Sequence, residues 1–110
     1  MRRMKIIKDH IDEISTLCKK HKVIELFAFG SILSDSFDAD SDVDFLVKFG
    51  DVNLADYFDN YMNLKESLES LLGRKVDLLE VQTLRNPILI KSINRTKALV
   101  YGRKGTEVAI

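Results

Sequence analysis

At 110 residues the chain is long enough to close one hydrophobic core and too short to divide into two domains. Its 45% apolar and 31% charged residues match ordinary globular usage, and no repeat or low-complexity tract is present, which argues against disorder and repeat architectures. The longest apolar runs are too short to cross a bilayer, and Met1, Arg2 and Arg3 precede an amphipathic stretch, so a cytoplasmic protein with no membrane association is expected.

The formal net charge of zero hides an uneven distribution. Residues 35–59 hold eight aspartates against the single base Lys48, a segment charge of minus seven, and basic residues gather toward both ends. An acidic block that also contains strand signals points to cation binding more than to a solvated tail.

In chain order, Ile7, Ile11, Ile14, Leu17 and Cys18 fall at helical spacing and predict one helix from about Met4 to Lys20 with a buried stripe. Cys18 in that stripe reads as a core thiol, while His10 and His21 read as surface residues without metal-pair spacing. Val23 to Phe29 is rich in β-branched and aromatic residues and stops at Gly30, as a buried strand does before a tight turn. A short helical or irregular piece from Ser31 to about Phe37 precedes a second strand, Val43 to Phe49. Apolar positions from Leu54 to Leu72 repeat at three- and four-residue steps until Gly73, predicting a long amphipathic helix. Within it Tyr57, Phe58 and Tyr61 are expected to pack in the core rather than stack a base. Arg74 to Val81 predicts a third strand, Asn86-Pro87 opens a helix to about Asn94, and Ala98 to Tyr101 predicts a last strand. This order defines an α/β (α+β) domain with a small mixed sheet, a core over about residues 5–102 and a frayed tail at 103–110.

Chemistry concentrates where the strands begin and end. Gly30-Ser31 closes the first strand, and Asp42-Val43-Asp44 enters the second after ten intervening residues. Side chains two apart in a strand share a face, so Asp42 and Asp44 can converge while Val43 enters the core. Converging carboxylates repel unless a divalent cation lies between them, and magnesium suits carboxylate oxygens while keeping positions for water and phosphates. Asp77 interrupts the apolar run Val76 to Leu79, where a charge without a partner is costly. If the second and third strands are neighbours, Asp77 joins Asp42 and Asp44 to hold two metal ions that clamp an in-line phosphoryl displacement. Gly30 permits close backbone approach, and the Ser31 hydroxyl and following amides can grip a triphosphate.

Three stretches carry a resemblance: Leu26 to Ser31, Asp40 to Val47 and Leu72 to Leu79. With them, the chain resembles the minimal nucleotidyltransferases of the DNA polymerase beta superfamily, and especially the MNT antitoxins of bacterial HEPN/MNT toxin–antitoxin pairs. The resemblance implies a polymerase beta palm-like fold, with Gly30, Ser31, Asp42 and Asp44 binding the nucleotide. It further implies that Asp42, Asp44 and Asp77 are the catalytic and metal residues, and that Asp77 helps to deprotonate the acceptor hydroxyl. The implied reaction is transfer of AMP from ATP, with two magnesium ions, onto a hydroxyl of a HEPN ribonuclease toxin, expected to be a tyrosine; direct nucleic-acid binding is not expected. Family members commonly carry an arginine or a second glycine soon after Gly-Ser, where this chain reads Ile32-Leu33-Ser34-Asp35. Lys48, by strand parity, and Arg74, near the third strand, are the candidates to replace it. Alternatives are an antitoxin that neutralises by masking and a transferase acting on a small molecule.

Overall fold

Strands β1 (Val23–Phe29) and β2 (Val43–Phe49) form the centre of a four-stranded sheet in the computed structural model, which describes residues 5–33, 38 and 40–102. β3 (Val76–Glu80) and β4 (Ala98–Tyr101) form its edges, in the order β3-β2-β1-β4. β2 runs antiparallel to β1 and parallel to β3, and β4 runs antiparallel to β1, so the sheet is mixed as expected. The third strand is shorter than its apolar run. Glu80 ends it by accepting the Gln82 N–H on Oε1 and the Thr83 hydroxyl on its carbonyl, which turns Val81–Thr83 into a single 3-10 turn.

Strand alternation separates two cores. Val43, Phe45 and Val47 point to one face, where they pack with Ile14 and Cys18 of α2 (Ile11–Lys20) and Leu64 and Leu68 of α3 (Leu54–Leu72). Phe27, Phe29 and Leu46 point to the other, where Val81, Leu84 and Ile93 cover them. Ile93 comes from α4 (Pro87–Thr96), which starts where Asn86 Oδ1 accepts the Ile88 and Leu89 N–H groups ahead of a first-turn proline. Each fully buried Phe or Leu contributes about 1.5–3 kcal/mol, so the two faces share the work of holding the sheet. Asp44, which shares this face with Leu46, is partly buried at its end.

Three expectations are corrected. The N-terminal helix is two helices, α1 (Lys5–Lys8) and α2, because the His10 N–H bonds Ile7 at the shorter three-residue spacing and the His10 ring bonds the Ile6 carbonyl. Met4 lies outside the described residues, and Ile11, at the new helix start, is exposed. His21 is not a surface residue: it is 6% exposed, its Nδ1–H donates to the Leu17 carbonyl, and its own carbonyl accepts from Asn60 Nδ2. Phe58 is not a core residue but 69% exposed. Cys18 is buried as expected, and burial pushes its thiol up to about 12. The expected frayed tail at 103–110 lies outside the described residues, as does most of the piece after Leu33. Among the described residues, no helix is long and apolar enough to cross a membrane.

Helix α3 also closes a sheet edge. Its Glu69 accepts the Val76 N–H at 3.0 Å, and its Tyr61 hydroxyl donates to the Leu78 carbonyl, so outward backbone groups of β3 are met by side chains. An edge strand capped in this way is a poor template for further pairing. Gly73, at φ 66, then stops α3 and turns the chain back into β3.

Candidate active site

The antiparallel turn from β1 to β2 and the parallel pairing of β2 with β3 bring three chain positions to one rim of the sheet. These are the end of β1 and the starts of β2 and β3. Asp44 pairs with Phe29 on one side and with Asp77 on the other. Residues in register on neighbouring strands share a face, so the Asp44 and Asp77 side chains project together. This is the juxtaposition expected if the second and third strands were neighbours.

Electrostatics record the same convergence. The Asp44 carboxyl is raised above the ordinary carboxylate range by burial first, then by the charges of Asp77 and Asp42, against a smaller opposing effect of the Ser31 N–H that donates to it. Asp42 stands just before β2, and its carbonyl accepts from the Ser31 hydroxyl at 3.4 Å. Ser31 therefore touches both aspartates, one through its amide and one through its hydroxyl.

Gly30 is fixed by two constraints. Its φ of +75° lies in the left-handed region, and a Cβ there would sit 2.3 Å from Asp44 Oδ2. The backbone is thus pressed against the carboxylate, leaving no room for a side chain. The 3-10 turn Gly30–Leu33 follows directly, with Ile32 buried beneath it.

Arg74, considered above for a phosphate contact, reaches back to the loop before β2. Its Nη1 donates to the carbonyls of Asp38 at 2.7 Å and Ser41 at 2.9 Å, latching the loop that delivers Asp42. That loop is also closed locally, since Asp38 Oδ1 accepts from the Asp40 N–H and the Ser41 hydroxyl. The Val43 N–H donates to the Lys75 carbonyl and joins the starts of β2 and β3. Lys48 stands four residues beyond Asp44, roughly 13 Å along the strand, opposite the buried Glu25. It does not join the carboxylates.

Among the described residues, no group of three or more His, Cys, Asp or Glu side chains is placed to hold a metal ion as the side chains stand. Three carboxylates of like charge nonetheless share one rim, with a glycine-backed approach, and among the described residues no basic side chain offsets the charges acting on Asp44; this donor chemistry is of the kind a divalent cation takes. A groove of about 860 Å³ between α2 and α3 lies on the opposite face, away from this chemistry, and is lined by Asp12, Glu13, Lys20 and Glu66 among others. A smaller pocket of about 310 Å³ lies along the β3 edge.

The mixed sheet, its glycine-serine turn and the three carboxylates at one rim are those of a chain whose sequence matches the nucleotidyltransferases. Residues 12–106 match the family described as polymerase beta, nucleotidyltransferase, and the chain belongs to that family. It is 35% identical over 102 residues to a Methanocaldococcus jannaschii protein provisionally named a protein adenylyltransferase, covering 92% of this chain and 99% of that one. It is also 35% identical over 86 residues to the protein adenylyltransferase MntA of Thermococcus cleftensis, covering 71% and 84% of the two chains. A solved structure provisionally called a minimal nucleotidyltransferase superposes with a TM-score of 0.72 at 27% identity, over 86% of this chain and 93% of the other. The MNT antitoxin solved with a tri-AMPylated HEPN toxin of Shewanella oneidensis shares the fold, with a TM-score of 0.62 at 19% identity over 89% and 74% of the chains.

Proposed function

We propose that this chain is a magnesium-dependent protein adenylyltransferase acting as the antitoxin of a HEPN toxin in the cytoplasm. The observation that carries the reading is the in-register pairing of Asp44 with Asp77, with Asp42 and Gly30-Ser31 beside them. The relatives named protein adenylyltransferases support the transferred group, and the fold neighbour solved with a tri-AMPylated HEPN toxin supports the partner.

In this reading Asp42, Asp44 and Asp77 hold magnesium, which when bound supplies neutralisation of the triphosphate and of the departing pyrophosphate. The turn that opens at Gly30 would receive the phosphates through its backbone amides. Asp77, on the outer strand, accepts the proton of the acceptor hydroxyl, and the hydroxyl oxygen attacks the α-phosphorus in line as pyrophosphate leaves. The acceptor approaches from the β3 side, because the β1 side is occupied by the turn that receives the phosphates.

Incubation of the purified chain with labelled ATP, magnesium and a HEPN toxin should label the toxin on tyrosine. Asp42→Ala and Asp44→Ala should abolish the label. Neutralisation without label transfer would instead favour masking. One observation supports that second reading: the Arg74 guanidinium holds the loop carbonyls, and Ile32-Leu33 stand where relatives of the superfamily place a phosphate-binding residue.

A further inference from the structure

The pocket along the β3 edge combines features that a plain packing defect lacks. Tyr57, Phe58 and Tyr61 supply aromatic walls, Leu78 and Leu79 supply an apolar side, and Glu80 supplies a carboxylate. Glu80 is only 9% exposed, and among the described residues no lysine or arginine lines the pocket. Its carboxyl accepts the Gln82 N–H and is hydrogen-bonded to the Tyr57 hydroxyl, which Glu80 helps to push up to about 12 behind the larger effect of burial. Meanwhile Phe58, 69% exposed at the mouth, and Leu54, 91% exposed one turn earlier, leave apolar surface with nothing packed over it.

The pocket adjoins the reaction centre. Tyr61 feels the charge of Asp77, and its hydroxyl bonds the carbonyl of Leu78, the next residue along β3. Glu80 lies three residues from Asp77, roughly 10 Å along the strand and by alternation on the α3 face, so an occupant of the pocket reaches the Asp77 face around the β3 edge.

We propose that this pocket anchors a cationic side chain, an arginine or lysine, of the acceptor protein, setting the acceptor hydroxyl opposite Asp77. Aromatic faces attract a cation through their negative ring centres, and a largely desolvated carboxylate at the same place gives the charge a specific partner. A volume of about 310 Å³ admits one such side chain with its methylene stem between the rings. The orientation toward an acceptor rests on the transferase reading, whereas the cation preference rests on the pocket alone. The rival occupant is the base of the nucleotide, for which the aromatic walls would serve equally and the carboxylate would accept an amino group.

The test is an NMR titration of the full chain, following the rings of Tyr57, Phe58 and Tyr61 and the amides of Gly30 and Ser31. N-acetyl-arginine amide should shift the three rings saturably at millimolar concentration, and the neutral isostere N-acetyl-citrulline amide should bind at least about fivefold more weakly. Glu80→Gln keeps the acceptor for Gln82 while removing the charge, and should erase the difference between the two ligands; Phe58→Ala should weaken both. AMP should leave the rings unmoved. Saturable ring shifts with AMP, equal binding of the two amides to the unaltered protein, or no saturable shift with the arginine amide would each overturn the proposal. Magnesium-ATP shifts at Gly30 and Ser31, in the same samples, report on the transferase reading separately.

Discussion

Asp44 and Asp77 stand opposite each other on adjacent parallel strands, each projecting from the same face of the sheet, with Asp42 adding a third negative charge two residues away. The pair is costly to the fold unless a cation lies between the two, and that cost is the source of the first prediction.

Asp44→Asn should raise the melting temperature at neutral pH without magnesium, by roughly 2–5 °C, while abolishing transfer. The sign follows from the raised carboxyl: the ionised form is penalised in the fold, so the penalty is present once pH exceeds the folded-state pKa and disappears as pH falls below the unfolded one. Magnesium should raise the melting temperature of the unaltered protein and leave that of Asp44→Asn nearly unchanged. Thermal unfolding with and without magnesium measures both, and equal magnesium responses would contradict the assignment.

Gly30→Ala should cost about 1–3 kcal/mol, since a left-handed φ and a 2.3 Å approach to Asp44 Oδ2 both oppose the methyl group. Transfer should fall at least tenfold in protein that remains folded, because relief of the clash moves the carboxylate. Urea unfolding beside a single-turnover labelling assay separates the two effects.

Arg74→Ala should lose transfer activity. Both loop bonds come from one Arg74 nitrogen, Nη1, so removing the side chain frees the carbonyls of Asp38 and Ser41 and releases the loop bearing Asp42. We expect a stability loss of about 1 kcal/mol and a larger loss in nucleotide binding, read by calorimetry with magnesium-ATP.

Glu69 predicts a pH dependence opposite to that of Asp44. Its carboxyl is lowered, first by the Val76 N–H it accepts and with help from Lys65 and Lys75, so its stabilisation is present above the unfolded carboxylate pKa and is lost as pH falls through the folded value. Acid titration should therefore destabilise the unaltered chain more than Glu69→Gln. Urea midpoints between pH 6 and pH 3 test this, and identical slopes for the two proteins would refute it.

Cys18 should be inert to thiol reagents at pH 8 in the native protein and react only on unfolding. Burial holds the thiol at about 12, so almost no thiolate is present and none is reachable. Alkylation rates across a urea series provide the check.

Much of this was legible in the residues because the relevant signals are local. Val76 to Leu79 is an apolar run broken by one carboxylate, and that anomaly singles out Asp77, which stands in register with Asp44 but is exposed because β3 is an edge strand. Gly30 was legible as a strand stop, but its second constraint, the closeness of Asp44, depends on pairing across β1 and β2. Arg74 acts on carbonyls 33 and 36 positions earlier, a contact with no periodic trace, so its latching role was hidden. The same holds for His21, which is buried and whose carbonyl accepts from Asn60 of α3, 39 positions later, and for Phe58, whose helical phase alone suggested the core. The break at His10 rests on ring-to-backbone bonding that hydrophobic spacing does not record.

The bonds from Tyr61 and Glu69 to β3 mean that the third carboxylate rides on a strand splinted by α3, whereas Asp42 and Asp44 are held from the β1 side through Ser31. β3 is also laddered to β2 from Val43–Val76 to Val47–Glu80, so helix, edge strand and central strand brace one another and the Asp44–Asp77 pair rides on a single stiffened unit.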